Sequence, residues 1–100
     1  MTEKEKENRI NSFALSFLGQ QQIVPNLYAD QIIRGYKEGY HQAEKDLKAK
    51  QVDIASMADE YYDALMKEAA DWMDEGTMGH CRLAYYNGCK DVLNKIQKGE

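Results

Sequence analysis

The sequence predicts an all-α domain of four helices, arranged as two similar helical hairpins in a small bundle. A single proline, Pro25, interrupts 100 residues that are rich in Ala, Leu, Glu, Lys, Gln and Met, the best helix formers. Apolar side chains recur at intervals of three and four, which is the period of one buried helix face. We therefore expect one domain over residues 1–100, with hairpins at about 3–50 and about 53–98.

The first hairpin opens with Thr2 and Glu5 at the spacing of a capping box. Helix 1 should end near Gly19, after burying Ile10, Phe13, Ala14, Phe17 and Leu18. Helix 2 should begin near Pro25 and Asn26 and run to about Lys50. Its apolar stripe consists of Ala29, Ile32, Ile33, Tyr36, Tyr40, Ala43 and Leu47.

In the second hairpin, helix 3 should begin at a cap formed by Asp53 or Ser56. Its predicted core face is Ile54, Met57, Ala58, Tyr61, Leu65, Ala69 and Trp72. Gly76 is the expected end of helix 3, and Thr77 the expected cap of helix 4. Helix 4 should bury Met78, Cys81, Tyr85, Val92 and Ile96. Because residues 48–52 contain neither Gly nor Pro, helices 2 and 3 could also form one bent rod.

Helices 2 and 4 resemble each other at a constant offset, which indicates an internal repeat. The small residues of this repeat predict a close contact between the two helices: Gly35, Gly39, Ala43, Ala84 and Gly88. A glycine inside a helix costs about 1 kcal/mol relative to alanine, so these positions need a compensating contact. Close helix packing is the first interpretation, and a ligand or partner backbone against the stripe is the second.

Composition and charge bound the class of protein. Hydrophobic residues make up 43% and charged residues 30% of the chain, as in a folded globule. No apolar run approaches the roughly 20 residues of a membrane span, and the charged N-terminus lacks the apolar segment of a signal peptide, so we expect a cytoplasmic protein. The net charge of −4 and the scattered lysines disfavour direct binding of nucleic acid.

The acids are concentrated in one segment. Residues 51–75 carry eight acids and one base, a local charge of −7. Several of these acids should share one polar face of helix 3. A plain solvated face is the first interpretation, since every amphipathic helix has one. A docking surface for a basic protein is the second, and its candidate residues are Asp53, Glu60, Asp63, Asp71 and Asp74.

A second possible site combines tyrosines with basic residues. Tyr62 and Tyr86 should be the outward members of two adjacent tyrosine pairs, because neighbouring helix positions cannot both face the core. A nucleotide-like small molecule could stack on these rings while cations neutralise its phosphate, and the candidate residues are Arg34, Tyr62, Arg82, Tyr86 and Lys90. Partly buried tyrosines at helix seams are the structural alternative.

The sequence does not support a metal site or an active site. His41, His80, Cys81 and Cys89 are the soft metal ligands, and their spacing matches no zinc motif. The two cysteines, eight residues apart in one helix, would lie about 12 Å apart, too far for a disulfide. We expect them to be buried thiols, and we expect no cofactor and no catalytic residue.

The first half of helix 2 carries a recurrent pattern that covers about a quarter of the chain: Ala29, Asp30, Gly35, Tyr36, Gly39 and Ala43. In this pattern the chain resembles small uncharacterised helical accessory proteins of bacteriophages and prophages. That resemblance implies a protein of the bacterial host cytoplasm, in a class that includes inhibitors of host defence. Such inhibitors bind a host protein or sequester a nucleotide signal. The resemblance assigns no functional residue.

These observations rank the functions that we expect. The first is a non-enzymatic interaction protein, a phage-type inhibitor of a host defence protein that acts through the acidic helix face. The second is an oligomeric binder that sequesters a nucleotide-like signal, and the third is a structural or oligomerisation module. We also expect a homo-oligomer, because aromatic residues and methionines exceed what one small core can bury: Met57, Met66, Met73 and Met78.

Overall fold

The computed structural model describes residues 2–20, 29–49 and 53–97, and it confirms a small all-α bundle. The four helices are α1 (Glu3–Gln20), α2 (Ala29–Ala49), α3 (Ile54–Ala69) and α4 (Glu75–Gln97). There is no β-strand in these three ranges. The predicted start of helix 2 at Pro25 and Asn26 lies outside the described residues.

Two helix starts follow the capping signals of the sequence. The Thr2 hydroxyl accepts a hydrogen bond from the Glu5 amide at 3.1 Å. Asp53, and not Ser56, caps α3, since its carboxylate accepts from the Ala55 amide at 3.0 Å and from the Ser56 hydroxyl at 3.3 Å. Asp53 has extended backbone angles, φ −73° and ψ 113°. Helix α3 therefore starts anew at this residue and does not continue α2 as one rod.

The junction between α3 and α4 differs from the prediction. Helix α3 ends at Ala69 instead of Gly76, and α4 begins at Glu75, so Gly76 lies in the first turn of α4. The cap of α4 is Asp74 and not Thr77, because the Asp74 carboxylate accepts hydrogen bonds from the Thr77 amide at 3.1 Å and the Thr77 hydroxyl at 2.5 Å. These hydrogen bonds lower the pKa of Asp74.

The same junction corrects the position of Trp72, which was expected in the core. The amides of Trp72 and Met73 both donate to the Ala69 carbonyl, at 3.1 and 2.9 Å, and this turns the chain after α3. As a result Met73 is buried, whereas the Trp72 side chain is 48% exposed. The tryptophan thus lies at the surface, between two helices, and not on a helix face.

The core is a single cluster to which all four helices contribute. It contains most of the predicted apolar positions, with Phe13, Ile33, Ile54, Tyr61 and Leu65 partly buried at its edge. The side chains of Leu47 and Ile96 lie outside the described set. The buried apolar residues in the described ranges are Ile10, Ala14, Phe17, Leu18, Ile32, Tyr36, Tyr40, Ala43, Met57, Ala58, Ala69, Met73, Met78, Cys81, Ala84, Tyr85, Cys89 and Val92. Both cysteines are buried, and no disulfide joins them.

Helices α2 and α4 meet at backbone distance through two glycines. A Cβ atom on Gly39 would lie 2.2 Å from the Tyr85 carbonyl oxygen, and one on Gly88 would lie 2.3 Å from the Tyr36 carbonyl oxygen. The contact is reciprocal, because Gly39 and Gly88, like Tyr36 and Tyr85, are equivalent positions of the internal repeat. The crossing therefore has local two-fold character.

Further contacts fill the sides of this crossing. Ala43 and Ala84 are fully buried there, and a Cβ on Gly35 would lie 3.1 Å from the Cys81 carbonyl oxygen. The Cys89 thiol donates to the Gly39 carbonyl at 3.3 Å. Tyr61 of α3 stacks on Tyr85 with ring centroids 4.4 Å apart. Close packing of α2 against α4 thus accounts for the small residues, and no ligand is needed to explain them.

Gly39→Ala should destabilise the domain strongly, because the new methyl group meets backbone atoms that cannot rotate away. Overpacking of this kind costs about 1–3 kcal/mol or more, which lowers the melting temperature of a domain of this size by about 10 °C. Thermal unfolding followed by circular dichroism measures the change. The matched control is Gly79→Ala in α4, where a Cβ would meet nothing within 4 Å. That substitution should stabilise by up to about 1 kcal/mol. Equal melting temperatures for the two variants would contradict the close crossing.

Candidate interaction surface

The outer side of α3 and the turn after it carry acids in two different situations. Asp53 and Asp74 are helix caps, so their carboxylates serve the fold. Asp59 accepts from the Arg82 guanidinium, with its Oδ1 atom 3.0 Å from Nε. Glu60, Asp63 and Asp71 are exposed and form no ion pair or hydrogen bond with any residue in the described ranges. We call these last three residues the acidic surface.

Two acids elsewhere in the bundle, Glu7 and Glu44, are paired with bases. At the seam between α1 and α2, Glu7 accepts from Lys37 at 3.3 Å and from His41 at 2.7 Å. Glu44 pairs with Lys6 at 2.9 Å, and this contact raises the pKa of Lys6. Nine of the described acids are exposed and form neither an ion pair nor a helix cap, and five of these lie between residues 60 and 75: Glu60, Asp63, Glu68, Asp71 and Glu75. Lys67 is the one exposed base of α3.

Burial and charge act in opposite directions on Glu7. Partial burial raises the pKa of Glu7, but the Lys37 hydrogen bond and the charge of His41 outweigh it, so the pKa lies below its ordinary value of 4.5. The carboxylate form is thus favoured in the folded state. The α1–α2 seam is a structural charge network, and it lies apart from the acidic surface.

A groove lies between α2 and α3. Its volume is about 210 Å³, and Tyr61, Leu65 and Trp72 supply its apolar lining. Arg34, Glu38 and Glu68 form its charged rim, in which Arg34 pairs with Glu38 at 3.1 Å. Burial raises the pKa of Tyr61, so its hydroxyl stays neutral. We call this groove the Trp72 groove. Its apolar area lies beside Glu68, whereas Asp63 lies on nearly the opposite side of α3. Sequence patterning missed the groove because Trp72 follows the helical spacing of core residues.

The residues predicted for a nucleotide-like ligand do not share one cleft. Arg34 lines two grooves, and neither includes Tyr62, Arg82, Tyr86 or Lys90. Arg82 is already paired with Asp59. Tyr62 and Tyr86 are half-buried against the core, so their expected outward orientation is only partly met. Arg82, Tyr86 and Lys90 lie at four-residue intervals along α4 and therefore share one side of it. Ligand binding there stays a prediction.

The potential metal ligands are dispersed. His41 lies in the α1–α2 seam, His80 is exposed, and both cysteines are in the core. Burial, followed by the nearby Glu38 carboxylate, raises the pKa of the Cys81 thiol to about 11. In the described part of the chain, no three His, Cys, Asp or Glu residues are arranged to hold a metal ion. Of the helices described, none has the length and apolar character to span a membrane.

Comparison of the chain with protein-family models, with curated proteins and with solved structures finds no match.

The Glu7 network predicts a pH-dependent stability difference between two neutralised variants. Because the folded-state pKa of Glu7 is depressed, its stabilisation is present above pH 4.5 and is lost as pH falls through the folded pKa. Glu7→Gln should reduce the free energy of unfolding at pH 7 by about 0.2–1 kcal/mol, the range for exposed ion pairs. The deficit should disappear near pH 3.

Urea denaturation at the two pH values measures this difference. The control is Glu60→Gln, which removes an exposed carboxylate without an ion pair and should leave the stability unchanged at both values. A Glu7→Gln variant that matches the wild type at pH 7 would show that the seam contributes no electrostatic stability.

Proposed function

We propose that the protein is a non-enzymatic binding protein that docks a basic protein surface on its acidic surface. The observation that carries this proposal is the concentration of exposed, unpaired acids between residues 60 and 75. Glu7 and Glu44 are paired within the bundle, whereas Glu60, Asp63 and Asp71 are exposed and unpaired within the described residues. A partner with clustered Lys or Arg would supply the missing counter-charges.

The Trp72 groove supports the same proposal from packing. Exposed carboxylates mainly accelerate encounter and set orientation, and the net gain from each rim ion pair is small. Affinity comes chiefly from apolar and aromatic anchors near the centre of an interface. Trp72 and Leu65 line this groove with Glu68, and Asp71 precedes Trp72 in the chain, so the groove could hold an apolar side chain of a partner that also contacts these two acids. The surface therefore combines long-range attraction with a short-range contact.

The resemblance of helix 2 to phage accessory proteins supports a more specific form of this function. In that form the protein is a phage-type inhibitor of a host defence protein and acts in the bacterial cytoplasm. An inhibitor that covers the functional surface of its target needs no catalytic group. The acidic surface and the shallow Trp72 groove are compatible with that mode of inhibition. A protein–protein contact alone is sufficient for this activity.

Neutralising the acidic surface should abolish capture of the partner. The test variant is Glu60→Gln, Asp63→Asn and Asp71→Asn. The control variant is Glu3→Gln, Glu5→Gln and Asp30→Asn, which changes the net charge equally at exposed positions of α1 and α2. Wild type, test and control proteins are immobilised and exposed to a bacterial lysate at low salt. We expect the wild type and the control to retain the same basic protein, and the test variant to lose it.

Salt provides the second readout of the same experiment. The Debye length falls from about 30 Å at 0.01 M to about 8 Å at 0.15 M ionic strength, so retention through the acidic surface should weaken steeply over that range. Retention of the same protein by all three forms, or retention that ignores salt, would contradict the proposal. Circular dichroism spectra should be identical for the three forms.

Self-association is a separate proposal with its own observation. Four large apolar side chains are exposed in the described part of the chain: Leu15 (58%), Met66 (40%), Trp72 (48%) and Leu83 (36%). Burying them between copies would remove apolar area from water.

Light scattering after size exclusion should give a mass above the monomer value of 11.5 kDa that rises with concentration. Leu15→Gln should reduce that mass if α1 takes part. A monomer mass at every concentration would contradict self-association.

A further inference from the structure

A second cleft lies on a different side of the bundle, where α1, α2 and α4 meet. Its volume is about 160 Å³. Phe13 and Phe17 form an apolar wall, and Ser16, Tyr36, Asn87 and Asp91 supply polar atoms, with Gln20 at the edge. None of these residues belongs to the acidic surface or to the Trp72 groove. A ligand in this cleft would therefore be independent of the function proposed above.

The polar atoms of the cleft are arranged mainly as hydrogen-bond acceptors. The buried Tyr36 hydroxyl donates to Asp91 Oδ2, which leaves Oδ1 of the same carboxylate available. The Asn87 amide nitrogen donates to the Leu83 carbonyl at 2.8 Å, so its Oδ1 remains as an acceptor. The Ser16 hydroxyl can also accept. These groups suit a ligand with several donors.

Among the residues that the structure describes, no Lys, Arg or His lines the cleft, and Asp91 forms no ion pair. Arg9 lies over the Phe13 ring, 5.6 Å from its centroid, but is not part of the lining. Asp91 is exposed as a residue, and the partial burial of its carboxyl group in the cleft raises its pKa. A bound cation would supply its counter-charge.

We propose that this cleft binds a primary ammonium group on a short alkyl chain. The ammonium donates to Asp91, Asn87 and Ser16, and the alkyl chain packs on Phe13 and Phe17, whose rings also favour a cation. At about 30 Å³ for each water, the cleft has room for about five waters, or for the five heavy atoms of n-butylammonium. The lysine side chain ends in the same aminobutyl group. The ligand is thus a free alkylamine or a lysine side chain of another protein.

The test is a titration of the ¹⁵N-labelled full chain with n-butylammonium chloride, followed by amide chemical shifts. We expect saturable shifts at Ser16, Asn87 and Asp91, with a Kd on the order of 1 mM. Sodium chloride at equal ionic strength and 1-butanol, an uncharged analogue of equal size, are the control ligands. Non-saturating shifts, or equal shifts with 1-butanol, would overturn the proposal.

Asp91→Asn should weaken n-butylammonium binding at least about tenfold, because the amide still accepts from Tyr36 but has no charge. Glu60→Gln removes a carboxylate outside the cleft and should bind like the wild type. A second variant, Ser16→Lys, adds an aminobutyl group at an exposed position beside Asp91. It should block the ligand and raise the melting temperature. Unchanged binding in both cleft variants would refute the site.

The source of the ammonium group is decided with a second ligand, Nα-acetyl-lysine methylamide. If this compound binds at least as tightly as n-butylammonium, the cleft accepts a lysine side chain attached to a peptide backbone. If only n-butylammonium binds, the ligand is a free alkylamine. Failure of the acidic-surface experiment would leave both results intact, because the cleft contains none of its residues.

Discussion

The close crossing of α2 and α4 is the constraint on which the rest of the structure depends. With hydrogen as the side chain at Gly39 and Gly88, each helix brings its backbone against a carbonyl oxygen of the other. This short distance leaves room only for small residues beside the glycines, and Ala43, Ala84 and Cys89 occupy those positions. The larger side chains of the repeat are displaced to the flanks of the crossing. There Tyr36 packs toward α1, while Tyr85 stacks on Tyr61 of α3.

The flanking tyrosines connect the crossing to both candidate sites. Tyr36 carries its hydroxyl to Asp91, and this contact forms the floor of the cleft between α1, α2 and α4. On the other flank, Tyr61 packs against Gly35 and lines the Trp72 groove between α2 and α3. The buried glycines of the crossing set the distance between α2 and α4. This distance positions Tyr36 and Tyr61, which line the cleft and the Trp72 groove. A change in helix separation would alter the groove and the cleft together.

The sequence could predict the parts of this architecture that follow from local pattern. Glycines at four-residue spacing in two related helices indicate a close contact, and the capping preferences of Thr2 and Asp53 are properties of a few neighbouring residues. The α3–α4 junction was harder. Ala69 and Ala70 favour helix, Gly76 is a common helix end, and Asp74 and Thr77 are both good caps. Only the tertiary position of Met73 in the core decides where the turn falls, and this leaves Trp72 outside.

The pairing of charges was beyond sequence pattern for the same reason. Asp59 meets Arg82 across 23 positions of the chain, and Tyr36 meets Asp91 across 55. Helical periodicity correctly places Glu60 and Asp63 on an exposed face. It cannot separate them from Asp53 and Asp74, which become caps because a helix happens to start at each. The five acids that look equivalent in sequence thus fall into two groups. Asp53 and Asp74 cap helices, whereas Glu60, Asp63 and Asp71 are exposed and unpaired within the described residues.

The acidic surface and the Asp91 cleft differ in how strongly their carboxylates indicate a ligand. An exposed carboxylate such as Glu60 is solvated in the free protein, so its position alone is compatible with a partner or with water. Asp91 is also exposed as a residue, but it lines a cleft, where its Oδ2 accepts from the buried Tyr36 hydroxyl and no described cation pairs with it. Partial burial of this carboxyl group raises its pKa. Its position in a cleft with an aromatic wall is therefore a more specific reason to expect a ligand than the larger charge of the acidic surface.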